Sequence, residues 1–274
     1  PASVKSIGER AFQFCMSLSS IVIPEGVETI GDSAFSAAEG LKRITLPSTL
    51  KSIGSAAFAS LIDLETITLP EGLETIGDSA FIGCSRLKTL TIPASVKNIG
   101  ASICRNCKSF TGYIVSEANP YYCVVGGVLY TKDMTELLSC LPGVVDTVSL
   151  VIPDSVKVIG DEAFYGCGFS GSFTLPKGLE KIGSKAFSGS SIQSLTAPTS
   201  LKSVGDYAFS GCKALKTVTF SGSLDSIGKE AFKSCTSLKS VTMSGKLGSL
   251  GDEAFHFCES LSSVVISEGV KSVG

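Results

Sequence analysis

Leu41-x-x-Ile44-x-Leu46-Pro47-x-x-Leu50-x-x-Ile53-Gly54-x-x-Ala57-Phe58 is the stretch on which the fold turns. Alternation in its first part sets Ile44 and Leu46 on one side of an extended segment and Arg43 and Thr45 on the other, the period of two that a strand gives. A second apolar pair, Leu50 and Ile53, reads as a short extended segment that turns at Gly54, and Ala57-Phe58 closes the unit. Ile-Gly followed by Ala-Phe returns at Ile7, Ile30, Ile53, Ile76, Ile159, Ile182 and Ile227, and in altered form at Val204 and Leu250. The step is 23 residues almost throughout; it is 22 from Ile182 to Val204, and 60 from Ile99, where Ile103-Cys104 replaces Ala-Phe, to Ile159.

So short a unit cannot bury a hydrophobic face by itself, but stacked copies line up their equivalent apolar positions into one continuous core. Ten units fit the template. The expected fold is a right-handed, curved leucine-rich-repeat solenoid, with a parallel β-sheet on one face and short strands and brief helical turns on the other. Asp32, Asp78, Asp161, Asp206 and Asp252 read as caps of those turns. The whole chain, 1–274, is expected to form one repeat domain carrying an insertion at about 111–148, in which Val128–Thr131 and Glu136–Cys140 form a hairpin around Lys132–Thr135. The insertion holds four of the six tyrosines and is read as packing over the array or as presenting Tyr121 and Tyr122 to a ligand. Both chain ends fall in phase with the repeat, without a polar cap, which suggests a segment of a longer array. In the last three units Ser221, Ser244 and Ser267 replace the proline, predicting a changed strand exit or curvature.

Tandem Leu-x-x-Ile-x-Leu-Pro-x-x-Leu-x-x-Ile-Gly-x-x-Ala-Phe-x-x-Cys resembles the BspA-type leucine-rich repeat over essentially the entire chain. The segment from Asn119-Pro120-Tyr121-Tyr122 to Leu141-Pro142 is similar to an insertion that interrupts arrays of that family. The resemblance implies an extracellular or cell-surface protein of a host-associated bacterium or anaerobic protist. It also implies adhesion or protein binding, with host matrix and cell-surface proteins as the partner class.

Composition agrees with a folded chain, at 43% hydrophobic and 18% charged residues. A formal net charge of −2 with no long like-charge run argues against nucleic acid as a partner. Apolar stretches such as Cys123–Leu129 fall short of the roughly 20 residues a spanning helix needs, so no membrane insertion is expected in this segment.

Seven of the ten cysteines, Cys15, Cys84, Cys107, Cys167, Cys212, Cys235 and Cys258, share one repeat position. With only three asparagines in the chain, a hydrogen-bonded asparagine ladder is excluded, and a small thiol that reaches a backbone carbonyl takes its place. Free thiols are expected there, because parallel side chains one coil apart, about 4.8 Å, exceed the Cβ separation of a disulfide; pairing of Cys123 with Cys140 stays open. Cys104-x-x-Cys107 has zinc or dithiol spacing, but Cys104 occupies the core Phe position and no second pair completes four ligands. No metal or cofactor is expected. The aspartates alternate with Ser55, Ala101, Ser184 and Lys229 and so make no calcium ladder. A single histidine, His256, gives little basis for a catalytic site, and an enzyme is the remote alternative.

The outward strand face remains. Thr45, Thr68, Thr91, Thr174, Thr196, Thr219 and Thr242 hold its central position, with Arg43, Lys42, Lys88, Lys216 and Lys239 beside them. Threonine suits a half-exposed strand for conformational reasons alone, and the extended face of a solenoid is also its usual docking surface. Two readings therefore stand: a binding or adhesion module for a protein or other macromolecule, or a structural spacer in a larger surface protein.

Overall fold

The computed structural model describes residues 3–140, 150–169, 174–266, 270 and 272–274. It divides into two compact units, Pro1–Lys132 and Asp133–Gly274. Each is a stack of coils in parallel β-solenoid arrangement, and each coil has three sides.

The first side is the strand foreseen from the alternation. In the second unit Ser194–Ala197, Thr217–Phe220, Ser240–Met243 and Ser263–Val265 pair in parallel, with Thr196 opposite Thr219 and Thr219 opposite Thr242. In the first unit this side is two separate ladders: Ser20–Val22 with Arg43–Thr45, and Thr89–Ile92 with Gly112–Val115. The second side is the two-residue segment ending in the repeat Ile: Ser6–Ile7, Thr29–Ile30, Ser52–Ile53, Thr75–Ile76 and Asn98–Ile99 form a five-stranded parallel sheet. Its register advances by one repeat per strand, which fixes every inward side chain against its own copy.

Proline opens the turn between these sides. Pro47, Pro70 and Pro93 accept hydrogen bonds from the N–H groups of Leu50, Leu73 and Val96, as position i of a β-turn does. Where serine replaces it, the following strand lengthens to four residues, Leu224–Ile227 and Leu247–Leu250. Ser244 donates its N–H to the Phe220 carbonyl at 2.9 Å, a ladder bond that proline cannot make. The expected change of strand exit is thus observed for Ser221 and Ser244; Ser267 lies outside the described residues.

On the third side the expectation needs correction. Among the described residues there is no helix. The Ala-Phe segment is a run of turns in which alternate N–H groups point in different directions. Ala34, Ser36 and Ala38 bond back within the coil to Gly31, Ser33 and Phe35, while Ser33, Phe35 and Ala37 bond to Ser55, Ala57 and Ala59 of the next coil. A helix would keep all of its bonds inside the segment; a solenoid coil must also satisfy the backbone of its neighbour. Left-handed residues such as Ser33 (φ 54°) and Ala37 (φ 56°) make the alternation possible.

The aspartates accordingly cap no helix. Asp32 accepts the N–H of Ser55 at 2.7 Å, Asp78 that of Ala101 at 2.8 Å, Asp161 that of Ser184 at 2.7 Å and Asp206 that of Lys229 at 2.8 Å. Each carboxylate therefore clasps the equivalent residue one coil later. Two stacked aspartates would put like charges about 4.8 Å apart, which accounts for the alternation in the sequence.

Stacked aromatics fill the core behind this side. Phe12, Phe35, Phe58 and Phe81 lie 5.0–5.5 Å apart in one unit, and Phe164, Phe187, Phe209, Phe232 and Phe255 lie 5.0–5.3 Å apart in the other, with interplanar angles no greater than 14°.

The insertion contains a hairpin in which Tyr122–Val125 pairs antiparallel with Val128–Thr131 around Gly126-Gly127. Glu136–Ser139 runs parallel to Val158–Ile159 in the second unit. Residues 141–148 of the insertion lie outside the described residues. Within the first unit, two side chains tie the insertion to the array. The buried Asn119 donates to the carbonyls of Pro93 and Val96 at 2.7 and 3.0 Å and accepts the N–H groups of Tyr121 and Tyr122. The Tyr122 hydroxyl donates to the Lys97 carbonyl and accepts the Ile99 N–H, at 3.0 and 3.1 Å. These are backbone groups that a further coil would otherwise satisfy.

Candidate functional site

The outward strand face is set by the pleat. In Thr217–Phe220 the inward Val218 and Phe220 are buried, whereas Thr217 and Thr219 are open to solvent. Thr45, Thr68, Thr91, Thr174 and Thr196 are exposed, and Thr219 and Thr242 are partly so. Backbone register aligns Thr196, Thr219 and Thr242 in adjacent strands, so their hydroxyls and methyls repeat at the strand spacing, about 4.8 Å. Thr45 stands opposite Val22, and Thr91 opposite Ile114. Val22 and Ile114 are 73% and 53% exposed, which makes the edges of the face in the first unit apolar.

Arg43 is exposed beside Thr45. Of the neighbouring lysines, Lys42 pairs with Asp63 at 3.8 Å and Lys88 with Glu65 at 3.3 Å. These exposed pairs link one coil to another and contribute little stability each. The tyrosines of the insertion separate: Tyr121 is 47% exposed, whereas Tyr122 is 8% exposed with its hydroxyl bonded to backbone. The structural roles of Asn119 and Tyr122 were not read from the sequence. The available signal was an isolated asparagine at the point where the repeat stops, in a chain otherwise nearly without asparagine.

All ten cysteines are thiols. The repeat cysteines donate to the carbonyl at the Phe position of the preceding coil: Cys84 to Phe58, Cys107 to Phe81, Cys235 to Phe209 and Cys258 to Phe232 at 3.1 Å, and Cys212 to Phe187 at 3.0 Å. Cys167 reaches Cys140 at 3.3 Å. At Phe81, Phe187, Phe209 and Phe232 the same carbonyl also accepts the N–H of the residue three positions on, so the thiol is a second donor that ties one coil to the turn of the coil before it. Burial, reinforced by hydrogen bonding to Cys107, pushes the Cys104 thiol well above the ordinary thiol range.

The lone histidine, His256, lies on the surface, 2.5 Å from Glu253 and stacked on Phe257 at 4.0 Å between ring centroids. Among the described residues no group of three or more His, Cys, Asp or Glu side chains is arranged to hold a metal ion, and no helix is long and apolar enough to cross a membrane.

Comparison with known proteins places this geometry in context. The family profile described as "BspA type Leucine rich repeat region (6 copies)" matches residues 1–117 and 143–262. A leucine-rich repeat protein from Eubacterium ventriosum is 27% identical with a TM-score of 0.86, over 97% of this chain and 71% of that one. A leucine rich cell surface protein from Faecalibacterium prausnitzii is 23% identical with a TM-score of 0.57, over 97% and 84% of the two chains. The pneumococcal vaccine antigen PcpA is 24% identical with a TM-score of 0.59, over 97% and 72%. The latter two similarities concern the fold. No functionally curated protein matches the chain.

Proposed function

The chain belongs to the BspA-type leucine-rich repeat family, and from that premise we propose that it is a non-enzymatic binding module of a surface or secreted protein, docking a protein or other macromolecule on its outward strand face. One observation carries the reading: Thr196, Thr219 and Thr242 are held in register on adjacent strands, with the core wholly on the other side of the sheet. A rigid row of hydroxyls and methyls presents hydrogen-bonding and apolar groups at fixed spacing with little entropy to lose on binding. The same row exists in part on the first unit, at Thr45, Thr68 and Thr91, beside Arg43. Surface location is supported by the description of the Faecalibacterium structure as a cell surface protein. Host matrix or cell-surface proteins are the partner class this location brings within reach.

The test is capture of saturable partners from matrix and cell-surface protein fractions by the immobilised chain, followed by titration of each partner against two triple variants. Thr196→Lys/Thr219→Glu/Thr242→Lys and Arg43→Glu/Thr68→Lys/Thr91→Glu change exposed or partly exposed positions with opposite charges on successive coils, so circular dichroism should stay that of the parent. A loss of affinity of tenfold or more in one variant supports docking on that unit's face. No saturable partner, or unchanged affinity in both variants, overturns the proposal and leaves the spacer role.

A further inference from the structure

The aromatic column is broken at one coil. Phe12, Phe35, Phe58 and Phe81 stack in succession, and the next position, at the last coil before the insertion, is Cys104. That substitution puts a third thiol, Cys104, within electrostatic reach of two already stacked in neighbouring coils, Cys84 and Cys107. The second unit provides an internal comparison. There the stacked thiols Cys212, Cys235 and Cys258 run beside an unbroken aromatic column, Phe187, Phe209, Phe232 and Phe255.

The backbone brings Cys104 and Cys107 together. The Cys107 N–H donates to the Cys104 carbonyl at 3.4 Å, closing a turn with Asn106 left-handed at φ 61°. Residues i and i+3 of such a turn lie under about 7 Å apart at Cα, and a disulfide needs roughly 4.4–6.8 Å. Stacked thiols in neighbouring coils are parallel and have no such turn to draw them together. Exposure separates the roles: Cys104 is 1% exposed, whereas Cys107 is partly open to solvent.

We propose that Cys104 and Cys107 are a redox-active dithiol, with Cys107 the entry thiol and Cys104 the resolving one, that exchanges with small-molecule disulfides. Cys107 as thiolate attacks one sulfur of a low-molecular-weight disulfide, forming a mixed disulfide and releasing one thiolate. Cys104 then loses its proton and attacks the Cys107 sulfur, forming the intrachain disulfide and expelling the second small thiol. Two protein thiols are oxidised, one small disulfide is reduced, and the two protons end on the two small thiols. The hydrogen bonds converging on Cys107 hold its thiol below the ordinary range, which favours it as the attacking group. The inference is independent of the binding role proposed above.

The experiment uses the full reduced chain in glutathione/glutathione-disulfide buffers of rising oxidising power, with acid quench, alkylation of remaining thiols and peptide mass spectrometry. The expected product is a Cys104–Cys107 disulfide formed at least tenfold faster than any loss of Cys84, Cys212 or Cys235. In Cys104→Ser the reaction should stop at a glutathione adduct on Cys107, and in Cys107→Ala, an exchange matching Ala38 at the same repeat position, Cys104 should stay unmodified. The wild-type measurement stands whether or not the variants fold. If both cysteines remain thiols while the exposed Cys15 is glutathionylated, if Cys107 links to Cys84 instead, or if Cys104→Ser gives no adduct, the assignment is wrong.

Discussion

The glycine after each repeat Ile is where one atom should matter most, and the chain carries its own control. A Cβ added at Gly77 would lie 2.6 Å from the Gly54 carbonyl carbon, 2.6 Å from the Ser55 nitrogen and 3.0 Å from the Gly54 oxygen, all backbone atoms of the preceding coil. The same atom at Gly168 would meet only the Ser191 Oγ, at 3.8 Å, an ordinary van der Waals contact. Neither residue is left-handed, so the difference is one of space alone. Relief at Gly77 requires the coils to part, which stretches the bonds from Gly77 to Ile53 and from Ala56 to Asp78, both 2.8 Å. Overpacking costs about 1–3 kcal/mol, and weakening two backbone bonds adds up to about 2 kcal/mol. Loss of glycine freedom in the unfolded chain returns about 0.4–1 kcal/mol. Gly77→Ala should therefore cost on the order of 2–4 kcal/mol, while Gly168→Ala should be neutral or slightly stabilising. Urea unfolding gives the difference in midpoint. Because a repeat array need not unfold in one step, amide exchange at Gly77 and Ala56 should be followed alongside it. Equal midpoint shifts for the two variants, or unaltered exchange at Ala56, would refute the claim that coil-to-coil backbone contact selects glycine here.

Phe81→Ala and Phe209→Ala, each removing a fully buried ring from a stack, should cost about 3–5 kcal/mol by denaturant unfolding; a loss below about 1 kcal/mol at both would remove these rings from the core. Cys84→Ala should cost on the order of 1 kcal/mol, from a small cavity and the lost bond to Phe58, and thiol titration in denaturant without added reductant should find nearly all ten cysteines free; two or more disulfides among the seven repeat cysteines would contradict this. Acid should weaken the fold. Glu74 is held below its ordinary 4.5 by the hydrogen bond and charge of Lys97, and Glu25 by the N–H and hydroxyl of Ser48, so their contribution is present above that pH and lost as it falls through the lower folded values. A melting temperature that does not drop between pH 5 and pH 3 would contradict this. Alkali should act in the opposite sense on Cys104, whose folded value burial and the Cys107 bond raise above 9.0: its contribution is complete below that pH and declines above it, measurable as a falling melting temperature.

What the sequence revealed and what it hid divide along a physical line. Inward positions were legible because stacking forces the same apolar residue to recur at the same place, so Ile53, Leu50 and Phe58 could be placed from periodicity alone, and all three are buried. The outward threonines were legible for the same reason, as complements of that pattern. The aspartates were misread because a local rule, capping of a helix within a segment, was applied where the partner N–H lies 23 residues away in the next coil. The sequence shows that Asp32 precedes a turn; only the stack shows that the turn's open hydrogen bonds face another coil. Asn119 and Tyr122 were hidden for a related reason. They satisfy the backbone of Val96, Lys97 and Ile99 where the repeat is interrupted, and an interruption has no second copy against which to recognise a pattern. Cys104 lies between these cases, since its departure from the aromatic column was visible in the sequence while the turn that sets it against Cys107 was not. In a solenoid, then, recurrence reports packing, and the single departures from recurrence are where chemistry has to be sought.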